Sequence, residues 1–311
     1  MTRSASLLSV SAASIDFQNP IVLAAGTAAY GREIARVMDL ESLGGIVTKA
    51  VSPEPRKGAP SPRVAEFDGG MMNAVGLANP GLEAVLRDDI PWLAQNVDKP
   101  RVIVNVVGST VDDFVAVTTA FAAIDSIHGL ELNVSCPNTK AGGTEFGADN
   151  ATLATLVSRC REATKLPLFV KLSPMLPNIA DSARVAVDAG ADALTLVNTI
   201  PGLAIDVESR RPALGFGTGG ISGTGLLPVG VLAVWKVSRA VNVPLVGVGG
   251  ITKGTDVVQY LLAGASLAGL GTAALRDPKS PVRIIGELSI WCESHGVKSV
   301  SEMVGRLEWP S

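Results

Sequence analysis

The sequence predicts an α/β protein folded as a (β/α)8 TIM barrel, a single domain over residues 1–311 with long loops at its C-terminal face. Eight short apolar runs recur along the chain, and helical patterns lie between them. Most of the runs are continuously apolar, as in parallel strands that are covered on both faces. A doubly wound sheet shares this alternation and is the alternative fold, but eight strands without a linker favour one closed barrel.

The predicted elements follow one another regularly from the N-terminus. A short hairpin is expected at 7–16, on the bottom of the barrel. Asp149 or Asn150 is the expected cap of the fourth helix, and Gly190 and Gly264 are expected to end two others. The eight strands are predicted at 21–26, 45–50, 102–108, 130–135, 168–173, 193–198, 245–250 and 267–272. Helices with apolar residues three and four positions apart are predicted at 33–43, 82–96, 112–124, 150–164, 179–188, 227–240, 255–262 and 282–294.

Three connections between a strand and the next helix are unusually long, at 51–79, 136–149 and 199–226. Long ordered loops inside a domain are usually functional. All three follow the C-terminal ends of predicted strands, which is where barrels of this kind build their active sites. The sequence therefore predicts a site at this end of the barrel.

The composition excludes several classes of protein. A hydrophobic fraction of 47% supports a large core, and a net charge of −3 without blocks of like charge argues against a nucleic-acid-binding surface. No apolar run is long enough to cross a membrane, and we find no signal peptide. Three widely separated cysteines suit a reducing cytoplasm and are too few for an iron–sulfur cluster, so a cytoplasmic protein is expected.

Polar residues and glycines gather where the predicted strands end. Two lysines and three asparagines are among them, and each buried polar group needs a partner that a polar ligand can supply. Backbone N–H groups after the seventh and eighth strands form a standard phosphate site in such barrels. The residues at this edge are Gly26, Thr27, Thr48, Lys49, Asn105, Asn133, Lys171, Asn198, Thr199, Gly249, Gly250, Gly271 and Thr272.

The cysteines and histidines differ in their relation to this edge. Cys136 follows the fourth strand directly, where a thiol among lysine and asparagine side chains can act as a base or nucleophile. Cys160 and Cys292 fall in helical patterns and are interpreted as small buried apolar residues. His128 precedes the fourth strand and His295 ends the last helix, so neither is expected to reach the site.

Several segments of the chain resemble the dihydroorotate dehydrogenases, the flavin enzymes of pyrimidine biosynthesis. The resemblance extends from about residue 15 to 280, with the motifs in family order. The cysteine of SCPN is typical of the class 1 enzymes, and AGGTEFG resembles subclass 1B. The segments that carry the resemblance are LELNVSCPNTKAGGTEFG, MMNAVGLANPGLE, VKLSP, VNTIPG, TGGISG and GVGGI followed by GASLAGLGTA.

The resemblance implies one FMN per chain and a role for each matching residue. Dihydroorotate would lose a proton from C5 to Cys136, the general base, and a hydride from C6 to FMN. Lys171 would stabilise negative charge on the reduced flavin, and Lys49 would bind the substrate carboxylate. FMN would contact Gly26, Thr48, Lys49, Asn105, Asn133, Lys171, Val197, Gly223, Gly249, Gly250, Gly271 and Thr272. The substrate would contact Lys49, Asn73, Val75, Gly76, Leu77, Asn133, Asn138, Asn198 and Thr199.

Subclass 1B implies a partner, and several alternatives stay open. In that subclass a homodimer of the catalytic chain joins a subunit that carries FAD and a 2Fe–2S cluster, forming a heterotetramer that passes electrons to NAD. A homodimeric class 1A enzyme using fumarate is one alternative, and a flavin enzyme similar to dihydropyrimidine dehydrogenase is another. Outside the flavin enzymes, we consider an aldolase that forms a Schiff base on Lys171 or Lys49, and a non-catalytic barrel that binds phosphate ligands.

Overall fold

Eight parallel strands close into a barrel in this computed structural model, which describes residues 7–135, 137, 138 and 144–310, except for the side chains at 137, 138 and 144. Each strand pairs with the next along the chain, and the last pairs with the first. The predicted fold is therefore confirmed. The strands are β1 (Ile21–Leu23), β2 (Gly45–Val47), β3 (Arg101–Val106), β4 (Gly129–Asn133), β5 (Leu168–Leu172), β6 (Ala193–Leu196), β7 (Leu245–Val248) and β8 (Leu267–Leu270).

Every barrel strand ends one to three residues before its predicted end. The reason is clearest at the glycines. Gly26, Gly249 and Gly250 have φ angles of +82°, +127° and +74°, which a strand cannot accommodate. The chain turns at these positions, so the polar residues and glycines predicted at the strand ends lie at the mouth of the barrel.

The bottom of the barrel is filled by apolar side chains and by the N-terminal hairpin. Strands Val10–Ala12 and Ile15–Phe17 pair antiparallel, with Ala13 and Ser14 in the left-handed region at the turn, which confirms the predicted hairpin. Because this end is closed, a ligand can enter the barrel only from the other end. The packed residues are Val10, Ala12, Ile15, Phe17, Val22, Val47, Ile103, Phe169, Ala193, Val246 and Leu267.

Helices surround the barrel, and most lie where the sequence predicts them. Asp149 caps the helix after β4 by accepting a hydrogen bond from the backbone N–H of Thr152 at 2.8 Å. Gly190 and Gly264 follow helix ends with φ of +108° and +118°, as expected for left-handed caps. The confirmed helices are Val111–Phe121, Asn150–Ala163, Ile179–Asp188, Leu227–Ser238, Gly254–Ala263 and Ser280–Ser294.

Two predicted helices differ in the structure. The prediction of a helix at 33–43 is wrong: the chain forms two 3-10 turns, Ile34–Arg36 and Leu40–Ser42. Asp39 separates them because it is extended and its carboxylate accepts the backbone N–H of Glu41.

The helix predicted at 82–96 is confirmed but irregular. Its middle, Val85–Asp89, is a π-helical turn that leads into Ile90–Asn96. Pro91 lies at the start of that last segment and lacks the N–H that an α-helical bond would need.

The long connections after β2 and β6 pair with each other. Their strands form a four-stranded antiparallel sheet, the roof sheet, in the order Ile200–Gly202, Gly219–Gly223, Gly70–Asn73 and Val64–Phe67. The sequence predicts these connections as long loops but does not indicate their pairing. The sheet joins two distant parts of the chain on the mouth side of the barrel.

Candidate active site

A layer of polar side chains lies above the apolar bottom of the barrel. Side chains two positions apart on a strand share a face, so Asn105, Lys171 and Thr195 lie on the inner face with Ile103, Phe169 and Ala193. Glu131 and Asn133 share one face of β4 in the same way. All members of this polar layer are buried: Thr48, Asn105, Glu131, Asn133, Lys171 and Thr195.

Two asparagines in the polar layer carry unsatisfied acceptors. Asn105 donates its side-chain amide to Oε1 of Glu131 at 2.7 Å, and its backbone N–H donates to Oγ1 of Thr48 at 3.2 Å. The Oδ1 atoms of Asn105 and Asn133 are buried and have no partner among the described residues. A buried acceptor without a partner costs about 1–3 kcal/mol. A ligand with N–H or O–H groups directed at this layer would remove that cost.

Two lysines supply positive charge at the mouth. Lys171 on β5 is buried beside Asn133 on β4 and Thr195 on β6, its register neighbours. Lys49 follows β2 and is half-buried. Neither lysine forms an ion pair with another described residue. Against the single carboxylate of Glu131, two cations favour an anionic ligand.

Glycines lie at the ends of β1, β7 and β8, and those after β1 and β8 leave open space beside the backbone. A Cβ on Gly26 would meet no atom within 4 Å, and one on Gly271 would have only Oγ1 of Thr27, at 3.9 Å. Gly249 and Gly250 turn the chain at the end of β7. Backbone N–H groups at such turns can bind a phosphate, which the sequence predicts for the ends of β7 and β8.

A hydrogen bond joins the roof sheet to the segment that follows β8. Oγ1 of Thr272, just beyond β8, donates to Oγ of Ser222 at 2.7 Å. Gly223, the next residue, has φ of +111°, and its missing Cβ would lie 2.5 Å from Cα of Gly70. The structure therefore brings Gly223 close to Thr272, two residues to which the resemblance assigns the same ligand.

The roof sheet also gathers predicted substrate-binding residues. Asn73 pairs with Gly220 across the sheet and donates its side-chain amide to the Gly220 carbonyl at 3.5 Å. Thr199 lies against the other side of Gly220. Asn198 accepts the backbone N–H of Thr199 at 2.8 Å. Asn73, Asn198 and Thr199 are thus collected around one glycine, although 125 or more residues separate Asn73 from the other two in the sequence.

The predicted residues Val75, Gly76 and Leu77 lie in a turn that Asn79 holds. Gly76 and Leu77 both have positive φ, +69° and +56°. Asn79 donates to the Leu77 carbonyl at 2.8 Å, and its Oδ1 accepts the backbone N–H of Gly81 at 2.9 Å. These bonds stabilise an uncommon backbone conformation. Asn79 is absent from the predicted site residues, although ANPG following the turn is a recognisable loop signal.

Part of the predicted site lies outside the described residues. Cys136 is one such residue, and the side chain of Asn138 is another. The backbone of Pro137–Asn138 pairs antiparallel with Thr144–Glu145 directly after β4. Burial raises the pKa of Glu145, and a hydrogen bond with Ser173, which follows β5, opposes the shift.

The remaining cysteines and histidines lie away from the polar layer, as predicted. Cys160 and Cys292 are buried in outer helices, and burial raises the pKa of the Cys160 thiol to about 11. His128 precedes β4 at the bottom, where Nδ1 accepts the backbone N–H of Val102 at 3.1 Å. His295 follows the last helix.

Two members of the polar layer are absent from the sequence prediction. Glu131 and Thr195 lie on the inner face, and Oγ1 of Thr195 donates to Oε2 of Glu131 at 2.7 Å. The signal was present, because Glu131 lies two positions before Asn133 in one strand and must share its face.

Neither a metal centre nor a membrane span is found in the described part of the chain. No group of three or more His, Cys, Asp or Glu side chains there could hold a metal ion. None of its helices is both long enough and apolar enough to cross a bilayer.

Comparison with known proteins points to one family. The sequence profile described as dihydroorotate dehydrogenase matches residues 7–291. A protein of Pelobacter propionicus is 47% identical over 97% of this chain and 98% of its own length. One from a Geobacillus species is 44% identical over 96% of this chain and 95% of its own length. Both relatives are named dihydroorotate dehydrogenase B (NAD(+)), catalytic subunit.

Proposed function

This chain belongs to the dihydroorotate dehydrogenase family, and on that premise we propose that it oxidises dihydroorotate to orotate in pyrimidine biosynthesis, with FMN bound at the mouth of the barrel. The observation that carries the proposal is the pair of buried Oδ1 atoms on Asn105 and Asn133 that have no partner among the described residues, with the buried Lys171 in register with Asn133. This set of groups suits a polar, anionic ring system.

The described residues fit FMN. Backbone N–H groups at Gly249, Gly250, Gly271 and Thr272 would hold the phosphate, because the chain turns at Gly249 and Gly250 and the space beside Gly271 is open. The polar layer would bind the ring and ribityl groups through the orphaned asparagine acceptors. The bound FMN would supply the acceptor for the hydride from C6 of the substrate. Lys171 would hold its positive charge against the ring, where negative charge develops.

The substrate would lie between the polar layer and the roof sheet. Asparagine supplies one acceptor and two donors, so several asparagines can match the alternating carbonyl and N–H groups of a pyrimidine edge. Lys49 would bind the carboxylate, with the backbone N–H groups of Gly76 and Leu77 beside it. The residues proposed to contact the substrate are Lys49, Asn73, Val75, Gly76, Leu77, Asn133, Asn138, Asn198 and Thr199.

Cys136 is proposed as the general base. Its thiolate would take the proton from C5 while the hydride leaves C6, so that the C5–C6 double bond forms and the substrate loses two hydrogens in total. The motivation is its position after β4, three residues beyond Asn133 at the end of that strand. The thiol would then return its proton to water.

We further propose that a partner subunit carries FAD and a 2Fe–2S cluster and passes electrons to NAD. The relatives are named as catalytic subunits of NAD(+) enzymes, which supports a division of labour between chains. A homodimer of this chain within a cytoplasmic heterotetramer is the proposed assembly. With dihydroorotate, the isolated chain should reduce artificial dyes but not NAD. NAD reduction by this chain with FMN alone would contradict the partner, and efficient turnover with fumarate would favour class 1A.

The flavin itself is tested by release and titration. Heat-denatured protein should release one FMN per chain, and orotate added to intact protein should perturb the flavin absorbance spectrum. The matched control is uracil, which has the same ring without the carboxylate and should perturb the spectrum far less. A colourless protein that fails to bind added FMN would reject the proposal. A stronger response to uracil would instead favour an enzyme similar to dihydropyrimidine dehydrogenase.

A further inference from the structure

Glu131 is a buried carboxylate at the centre of the polar layer. Only Glu131, Lys171 and Arg101 carry charge on the eight barrel strands, and Arg101 lies at the bottom, at the first position of β3. Glu131 is 2% exposed. Burying a carboxylate is costly unless it is hydrogen-bonded or paired, so its presence in a fully buried strand calls for a specific reason.

The hydrogen bonds of Glu131 fix the orientation of its neighbours. Its two carboxylate oxygens accept one bond each, from Nδ2 of Asn105 and from Oγ1 of Thr195, both at 2.7 Å. An ionised carboxylate can only accept, so the amide nitrogen of Asn105 must face Glu131. The Oδ1 atom of Asn105 therefore points away from Glu131, and it is the buried acceptor that lacks a partner.

Glu131 also neighbours the buried lysine. Glu131 is in register with Phe169 on β5, and Asn133 is in register with Lys171 two positions further along. Glu131 and Lys171 are therefore diagonal neighbours on the inner face of adjacent strands. In a region of low dielectric constant, a negative charge here partly offsets the positive charge of Lys171 at the ligand.

We propose that Glu131 is a positioning residue that holds the Asn105 amide with Oδ1 presented to the ligand, and that its charge lowers the reduction potential of bound FMN. The second part rests on the proposed function, because it requires FMN in this site. The potential falls because reduction adds negative charge to the ring, which a nearby carboxylate disfavours.

The test combines FMN affinity with the midpoint potential of bound FMN. Glu131→Gln keeps the size and one acceptor oxygen but removes the charge, so FMN should bind within about threefold of wild type while the midpoint potential becomes more positive. Glu131→Ala frees the Asn105 amide to rotate, and the FMN dissociation constant should rise on the order of tenfold or more. A merely structural carboxylate would change thermal stability without moving the potential.

Asp192→Asn is the matched control. Asp192 lies before β6 at the opposite end of the barrel, where it pairs with Arg161 at 2.6 Å and accepts the Leu168 backbone N–H at 2.8 Å. Neutralising it should lower stability and leave the potential at the wild-type value. If Glu131→Gln fails to fold, Glu131→Asp keeps the charge but shortens the side chain, so it should weaken FMN binding at least threefold with an unchanged potential.

Each outcome separates this inference from the proposed function. A wild-type potential in Glu131→Gln, or wild-type FMN affinity in Glu131→Ala or Glu131→Asp, overturns the role of Glu131. A wild-type apoprotein that does not bind FMN overturns the proposed function instead. A more positive potential in Glu131→Gln, together with weak binding in Glu131→Ala and no shift in Asp192→Asn, supports the assignment.

Discussion

Thr199 packs so closely against Gly220 that no residue with a Cβ fits at position 220. A Cβ built on Gly220 would lie 2.0 Å from Oγ1 and 2.6 Å from Cβ of Thr199. Gly220 also pairs with Asn73 in the roof sheet. Because Gly220 has no side chain, Thr199 and Asn73, two proposed substrate contacts, can both lie against it.

Gly220→Ala should weaken substrate binding more than cofactor binding. The new methyl group must displace Thr199 or part the roof sheet, because no atom at 2.0 Å can be tolerated. We expect the orotate dissociation constant to rise about tenfold, measured by titration of the flavin spectrum, with FMN retained. Gly225→Ala is the control, since a Cβ there meets nothing within 4 Å. Equal orotate affinity in Gly220→Ala and wild type would contradict this reading of the roof sheet.

Cys136→Ala should slow reduction of the flavin by dihydroorotate by on the order of 10² or more, the usual scale for loss of a general base. Anaerobic stopped-flow mixing measures this step without an electron acceptor. Cys136→Ser should be slow at neutral pH and recover at high pH, because a hydroxyl is a weaker acid than a thiol. Cys160→Ala, which alters a buried helix position, should lower stability but keep the rate. Near-normal reduction by Cys136→Ala would remove Cys136 from the base role.

Substitution of Lys49 and of Lys171 should weaken the binding of different ligands. Lys49→Ala should weaken orotate on the order of tenfold and leave uracil little changed, because only orotate has the carboxylate. Lys171→Ala should instead reduce FMN retention or lower the midpoint potential, since a buried cation that stabilises the reduced ring is lost. Titrations of both ligands on both variants measure this contrast. If Lys49→Ala weakens the binding of orotate and of uracil equally, Lys49 does not bind the carboxylate.

His128 should make the fold less stable in acid. Burial and the neighbouring Arg101 lower its pKa, so the unfolded chain takes up a proton more readily than the folded one. This contribution to stability is complete above the unfolded pKa of about 6.5 and is lost as the pH falls toward the folded value. Urea unfolding at several pH values should show the loss in wild type and a smaller one in His128→Gln. Identical pH dependence in His128→Gln and wild type would contradict this source of acid sensitivity.

The sequence predicts the barrel well because each strand is buried on both faces and therefore reads as an apolar run. It does not predict the roof sheet, since pairing between Asn73 and Gly220 depends on contacts 147 residues apart, which no local pattern encodes. The 3-10 turns around Asp39 arise from a local side-chain hydrogen bond that competes with the helical pattern.

The candidate site, like the fold, was predicted in part from the sequence. Residues at the ends of the strands, such as Asn105 and Lys171, lie where the barrel argument places them. Glu131 is absent from the sequence prediction, although a carboxylate buried in a strand needs a hydrogen-bond partner. The alternation that places Asn133 on the inner face also places Glu131 there. Cys136 lies outside the described residues, so its role stays a prediction.

The decisive measurement is the flavin absorbance of the purified chain during anaerobic addition of dihydroorotate. The proposed function predicts a yellow protein whose oxidised flavin band disappears, with one equivalent of orotate formed per FMN. A borohydride treatment should leave no substrate attached to Lys171 or Lys49, in contrast to a Schiff-base aldolase. A protein that binds FMN but whose flavin stays oxidised after excess dihydroorotate would contradict the proposed reaction.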